Sequence, residues 1–252
     1  MGNGSVVKSE STTENERSSR TSRKMLVDAL KYPTRGTPAL GVAGIVVAIA
    51  IGYRYTVAFV PSVAALVPGT ATMIAFAVLV GYLSHVLVDD DRAPPPLKVG
   101  ASLRSGFKSL GISVVFLAIP LVLMFTTVSS FVEAGSDGGE IPAVFMVSST
   151  AMLFLFLVSV YALPAAVVAA TKASTMRAAF DREQVFPALR ELPYVTAWIT
   201  GFTLFVIGLV PVSITIGSAD VAGLLSSLFG AYLVLAGSRI IATGYRRATT
   251  NS

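Results

Sequence analysis

The chain has 252 residues, 54% of them hydrophobic and only 13% charged, with a formal net charge of +5 and a mean hydropathy of +0.73. Soluble domains run near a quarter charged, so this composition excludes a free monomer in water, while the length suits one domain. With no cysteine and a single histidine, disulfides, thiolate metal sites, iron–sulfur clusters, Cys nucleophiles and H-E-x-x-H centres are excluded, and no cofactor is expected.

In chain order, residues 1–23 are rich in Ser, Thr, Glu and Arg with almost no large apolar side chain. They cannot bury enough surface to offset their ordering entropy and are predicted to be a disordered polar tail. The first long apolar run begins near Leu40, too far from the N-terminus for a signal peptide, so the first span is expected to stay. A span needs about 20 mainly apolar residues. Six segments qualify, at about 40–60, 63–88, 107–132, 143–170, 194–216 and 221–242, inside a transmembrane domain of 24–247, with 248–252 as a short tail. The runs are continuous rather than alternating, which predicts helices, not a barrel.

Of the 19 basic residues, 18 fall before the first span, after the second and fourth spans, or near the end of the chain. The opposite connections carry only acids: Glu133, Asp137 and Glu140 in one, Asp220 in the other. That asymmetry places both termini in the cytoplasm and predicts a multi-pass protein of the cell membrane. It also argues that the positive charge serves anionic lipid headgroups rather than nucleic acid.

Short basic amphipathic segments precede the odd-numbered spans, at 24–32, 101–110 and 177–192. Helices of this kind lie in the interface, apolar side toward lipid. With Pro61, Pro120 and Pro211 recurring late in or just after those spans, the pattern suggests a threefold repeat of helix plus hairpin. Small residues four apart, Gly44–Ala48–Gly52 and Ala222–Ser226–Gly230, mark candidate helix-packing faces.

Four residues stand out chemically. Arg54 lies outside the basic set, between Tyr53 and Tyr55. An arginine inside a membrane is costly and often functional, but flanking tyrosines suit an outer aromatic belt where Arg54 reaches the headgroups. His85, near the cytoplasmic end of the second span, fits a boundary residue or a proton relay. Asp89, with Asp90 and Asp91 ahead of Pro94–Pro96, could offer oxygens to a hard cation or form a solvated stop to the span. Acids at a helix C-terminus oppose its dipole, which leaves open whether they lie in the helix. Asp181, followed by Gln184, fits an N-cap. Among these, His85, Asp89 and Asp181 are the only candidates for interfacial lipid chemistry. No carboxylate interrupts a span, no phosphate-binding loop, nucleophile elbow or dinucleotide fingerprint occurs, and no enzyme activity or metal is expected.

Several landmarks together carry a family resemblance: Asp28-Ala-Leu-Lys-Tyr-Pro33 before the first span, Gly81-Tyr-Leu83 ahead of the acidic, proline-rich loop, Ala179-Phe-Asp181, Tyr194-Val-Thr-Ala-Trp198, and Gly244-Tyr-Arg246 near the end. In order and spacing these resemble the archaeal membrane proteins grouped as domain of unknown function 4013, found in haloarchaea and methanogens, over roughly Met25–Arg247. The resemblance implies a helical membrane protein and supplies no activity, because the family is itself uncharacterised. The expectation is therefore a non-enzymatic membrane-organising or complex-forming subunit, with a protein subunit or a second copy as partner. The alternative is a transporter component for a small solute, which predicts a mid-membrane cavity lined by Ser and Thr and reaching Arg54.

Overall fold

The computed structural model describes residues 23–36, 38–91, 93–136, 143–217 and 221–250. The predicted tail at 1–22, the acidic connections at 137–142 and 218–220, and residues 37, 92, 251 and 252 lie outside that set. All regular structure in the described residues is helical: α1 (residues 23–31), α2 (Pro38–Phe59), α3 (Leu66–Val88), α4 (Val99–Ser136), α5 (Ala143–Lys172), α6 (Arg182–Arg190), α7 (Leu192–Gly217) and α8 (Val221–Thr250). Six of them, all but α1 and α6, are long and apolar enough to cross a membrane. The chain thus belongs to the all-α membrane class that its hydropathy predicts.

Most span ends agree with the sequence reading to within a few residues; the sixth span, α8, runs on to Thr250, through the first residues of the expected tail, and three other differences are instructive. The second apolar run opens with a 3₁₀ turn at Val63–Ala65, where the Ser62 hydroxyl accepts from the Ala64 N–H at 3.2 Å. The fifth span starts at Leu192, with Pro193 in its first turn, where its missing N–H costs nothing. The third span begins earlier than predicted: residues 101–110 form no separate interfacial helix but are the first turns of α4. Nothing between Val99 and Pro120 breaks the helix, and its 38 residues measure about 57 Å at roughly 1.5 Å per residue. That far exceeds a hydrocarbon core of about 30 Å, so α4 projects beyond it.

Nor does α1 lie apolar side down in lipid. Ala29 is buried against Ala197 of α7 and Ile240 of α8, with Met25 and Leu26 packed alongside, and the Tyr232 hydroxyl donates to the Leu30 carbonyl. The helix is docked on the bundle. Short helices precede α2 and α7, and none separate from the span precedes α4.

The hairpins bring the ends of all six spans that carry lysine and arginine to one side, the basic end. Packing is concentrated there. Val42, Tyr82, Val86, Tyr194, Leu235 and Ile240 are fully buried, and Val168 nearly so. In the other half, Val63, Val67 and Phe125 are 75–79% exposed, and apolar side chains on all six spans face outward as lipid contact requires.

Glycine sets how close the spans come in the packed half. A Cβ added to Gly81 would lie 1.7 Å from the Ser102 carbonyl oxygen, and one added to Gly106 would lie 1.8 Å from that of Ala77. The backbones of α3 and α4 touch at this crossing. On α8, Gly230, Gly237 and Gly244 recur every seven residues and meet Gly208, Gly201 and Ala197 of α7. The predicted packing faces are partly displaced. Gly44 has no neighbour within 4 Å of an added Cβ, whereas Gly52 does contact Thr72. On α8 the buried positions are Gly223, Ser227 and Gly230, so Ala222 and Ser226 are one residue out of register.

Gly81→Ala is expected to destabilise the protein by at least about 1–3 kcal/mol, because backbone atoms, not a mobile side chain, occupy the space a methyl needs. Gly44→Ala should leave the melting temperature unchanged or slightly raised. Thermal unfolding in detergent, followed by loss of the monodisperse gel-filtration peak, checks both.

Candidate functional site at the basic end

The site starts where α3 stops. Asp89 is extended (φ −68°, ψ 133°) and caps the helix through its N–H to the His85 carbonyl. The three aspartates therefore lie beyond the helix, which settles their conflict with its dipole. The Tyr82 hydroxyl donates to the Pro95 carbonyl at 3.0 Å, folding the proline segment back along α3.

A helix C-terminus presents unpaired carbonyls and partial negative charge, and two arginines of α8 answer it. Arg239 donates to the carbonyls of Asp89 at 2.7 Å, Asp91 at 2.6 Å and, less closely, Asp90 at 3.4 Å. Arg246 donates to the Asp89 carbonyl and to the Asp90 carboxylate, both at 2.6 Å. The planar fork of guanidinium suits several acceptors at once, as a lysine would not. Arg239 also lies over the Tyr32 ring, 4.7 Å from its centroid. Burial pushes the Tyr32 hydroxyl up to about 12, more than Arg239 pulls it down, so the ring is neutral at physiological pH. Its hydroxyl is buried and has no partner, as are Asp89 Oδ2 and His85 Nε2. One clamp thus joins α1, the 89–91 segment and α8.

Two cavities open at this end. The first, about 500 Å³, lies between α1, the turn Pro33–Arg35 and the end of α8, and its lining includes Lys24, Asp28, Arg35, Arg239, Arg246 and Arg247. The second, about 490 Å³, lies between α3, α4 and the end of α5, with His85, Arg104, Ser105, Lys108 and Thr171 in its wall. Its wall includes Ser105, whose hydroxyl pairs with that of buried Ser84 at 2.7 Å, and Lys108 reaches the carbonyl of Ser174, a residue with φ of 56°, at 3.4 Å.

Of the residues singled out from sequence, His85 and Asp89 sit at the basic end, four residues apart, but serve different features: His85 the second cavity, Asp89 the clamp. Asp181 is engaged elsewhere. Its carboxylate accepts from the Glu183 N–H at 3.0 Å and from Gln184 Nε2 at 2.9 Å, capping α6. Arg54 is exposed beside exposed Tyr53 and Tyr55 in the last turns of α2, at the opposite end, and neither cavity reaches it. Among the described residues no three His, Asp or Glu side chains group as a metal site. Sequence reasoning missed Arg239, Arg246 and Tyr32 as a unit. Their acceptors are backbone carbonyls, which carry no sequence signature; only the i, i+7 spacing of the two arginines hinted at a shared face.

The landmarks behind the family resemblance fall on these structures. Gly81 is the α3–α4 crossing, Gly244 and Arg246 lie in the α8 contact and clamp, and Tyr194 and Trp198 build an aromatic cluster. In that cluster Tyr161 meets Tyr194 and Trp198 edge-on at 5.3 and 5.2 Å, while the Tyr194 hydroxyl donates to the Tyr161 carbonyl at 2.9 Å.

A family model described as protein of unknown function (DUF4013) matches residues 69–217, more than half of the chain, and the chain belongs to that family. The match is narrower than the expected Met25–Arg247 and leaves out α1 and α8, hence both arginines of the clamp. No curated protein and no solved structure matches the chain.

Arg239→Ala is expected to cost on the order of 1–2 kcal/mol, since charge-assisted bonds to the partly buried Asp89 carbonyl and the exposed Asp91 carbonyl are lost. The loop should open to trypsin at Arg92 or Lys98, and Arg239→Lys should restore less than half of the loss. A trypsin time course on folded protein at low enzyme ratio reads this directly; wild-type resistance in Arg239→Ala would show that the loop is held by something else.

Proposed function

We propose that this member of the family is a non-enzymatic multi-pass protein of the cell membrane, with its basic end and both termini in the cytoplasm, serving as a membrane-organising or complex-forming subunit. One observation carries the reading: charge and packing coincide. The end that gathers the lysines and arginines is the end where glycine draws the helices together and the clamp secures them. The other half offers apolar side chains to its surroundings. A bundle built this way is rigid where it meets the headgroups and lipid-wrapped elsewhere.

The retention of cations at the cytoplasmic side follows the usual charge rule of membrane insertion, and each well-placed cation contributes about 1 kcal/mol toward anionic headgroups. α6 supports the same use: Arg182 and Arg190 are exposed, with Arg190 over the exposed Phe186 ring at 5.6 Å from its centroid, an interfacial pairing of cation and aromatic ring. The partner of a complex-forming subunit is another membrane protein or a second copy of the chain. The transporter reading draws less support, because both cavities described lie at the basic end rather than at mid-membrane beside Arg54.

The absence of cysteine makes orientation measurable with single substitutions. Ser62→Cys, between α2 and α3, should react with an impermeant maleimide added to intact cells. Thr250→Cys, at the end of α8, should react only after permeabilisation. The reverse pattern would place the basic end outside and remove the proposal.

A further inference from the structure

We infer that the cavity between α1 and α8 is a binding site for a multiply charged phosphoryl group, borne by a lipid headgroup or by a soluble phosphoanion. This deepens the reading of the basic end as the headgroup end, by naming one stoichiometric site within it.

The electrostatics of the lining are the first reason. Among the described lining residues Lys24, Arg35, Arg239, Arg246 and Arg247 face one carboxylate, Asp28, and with the Asp90 carboxylate on Arg246 counted a formal excess of three positive charges remains. Arg35 Nη2 lies 3.7 Å from Asp28 Oδ1, a long ion pair within the lining. The bonds that hold Arg239 reach backbone carbonyls, which orient the cation without neutralising it, while Arg246 meets one carbonyl and the Asp90 carboxylate. Asp90 meets Arg246 from outside the cavity lining. Like charges gathered at one concave place are a cost to the empty fold and a gain to an anion that enters.

Preorganisation is the second reason. The Tyr32 ring and the carbonyls of residues 89–91 fix Arg239, and the Asp90 carboxylate fixes Arg246, so neither must be ordered when a ligand binds. Guanidinium forks match phosphoryl oxygens in geometry. Lys24 and Arg247 are exposed and have no hydrogen-bond or ion-pair partner among the described residues; they are the mobile part that closes on an anion. The third reason is place and size. The volume, about 500 Å³, is within the range of small-ligand pockets, far larger than one ion needs. Met25, Ala29 and Tyr32 add an apolar wall, which suits a phosphoryl group carrying an organic or acyl portion at a membrane surface. Every described lining residue lies outside residues 69–217.

The test uses the full chain in nanodiscs of zwitterionic lipid, titrated with inorganic pyrophosphate and read by calorimetry. Three forms are compared: wild type, Lys24→Ala/Arg247→Ala, and Arg104→Ala/Lys108→Ala. The last removes the same charge at the same end but outside the cavity, and neither double variant touches the clamp. Saturable binding near one pyrophosphate per chain is expected, weakened about tenfold or more by the first double variant and less than about threefold by the second. A second arm adds phosphatidic acid to the nanodiscs. Competition with pyrophosphate identifies the lipid headgroup as the source, whereas undiminished pyrophosphate binding identifies a soluble phosphoanion. Equal loss in both double variants, or no saturable binding in either arm, overturns the site. Cysteine labelling that put the basic end outside would sink the orientation while leaving a positive pyrophosphate result standing, so the two failures are separable.

Discussion

The structure depends on how closely helices approach where glycine removes the side chain. At Gly81–Gly106 and Gly201–Gly237 the limiting contact is one backbone against another. In lipid, hydrophobicity gives no preference between a helix face that meets protein and one that meets acyl chains, so association rests on close packing. Small residues at those crossings draw α3 to α4 and α7 to α8 at the basic half. The aromatic cluster of Tyr161, Tyr194, Trp198 and Tyr245 then joins α5, α7 and α8. Among the described residues the far half buries fewer side chains and exposes more apolar ones. The difference between the halves is thus a consequence of where glycines and aromatics stand along each span.

That packing makes the arginine clamp feasible. Taking two guanidinium groups partly out of water is costly unless donors and acceptors match. The acceptors are the carbonyls of Asp89–Asp91, beginning at the extended cap of α3, where a helix leaves its last carbonyls without partners. The aspartate side chains matter less than their backbone, apart from the Asp90 carboxylate on Arg246. An acidic run that invites a metal reading is, in its geometry, the rim of an arginine-binding turn.

The parts of this architecture readable from sequence are those set by bilayer thickness and by local chemistry. Six spans emerge within a few residues because each must be long and apolar, whatever it packs against. The Asp181 cap emerges because a cap is decided within four residues. Register is different. Every face of a span is apolar, so spacing alone could not tell that Gly44 is unused, or that Gly223 and Ser227 rather than Ala222 and Ser226 face the bundle. The amphipathic character of residues 24–32 was visible, but an apolar stripe reads the same for lipid as for α7 and α8. The sharing of Arg239 and Arg246 across α1, α3 and α8 is tertiary, and its acceptors are main-chain atoms that any sequence would supply.

The central claim is that the basic half is closed to lipid while the other half is bathed in it. The sole tryptophan, Trp198, stacks on Phe202 at 4.8 Å in the closed half and is 8% exposed, so its fluorescence tests the claim without labelling. Reconstituted into vesicles with lipids brominated along the acyl chains, Trp198 should be quenched only weakly. A tryptophan placed at Phe125 in a Trp198→Phe background, on a helix face 75% exposed, should be quenched strongly. Comparable quenching at the two positions would mean that lipid reaches the basic half, and the division into a packed end and a lipid-wrapped end would be wrong.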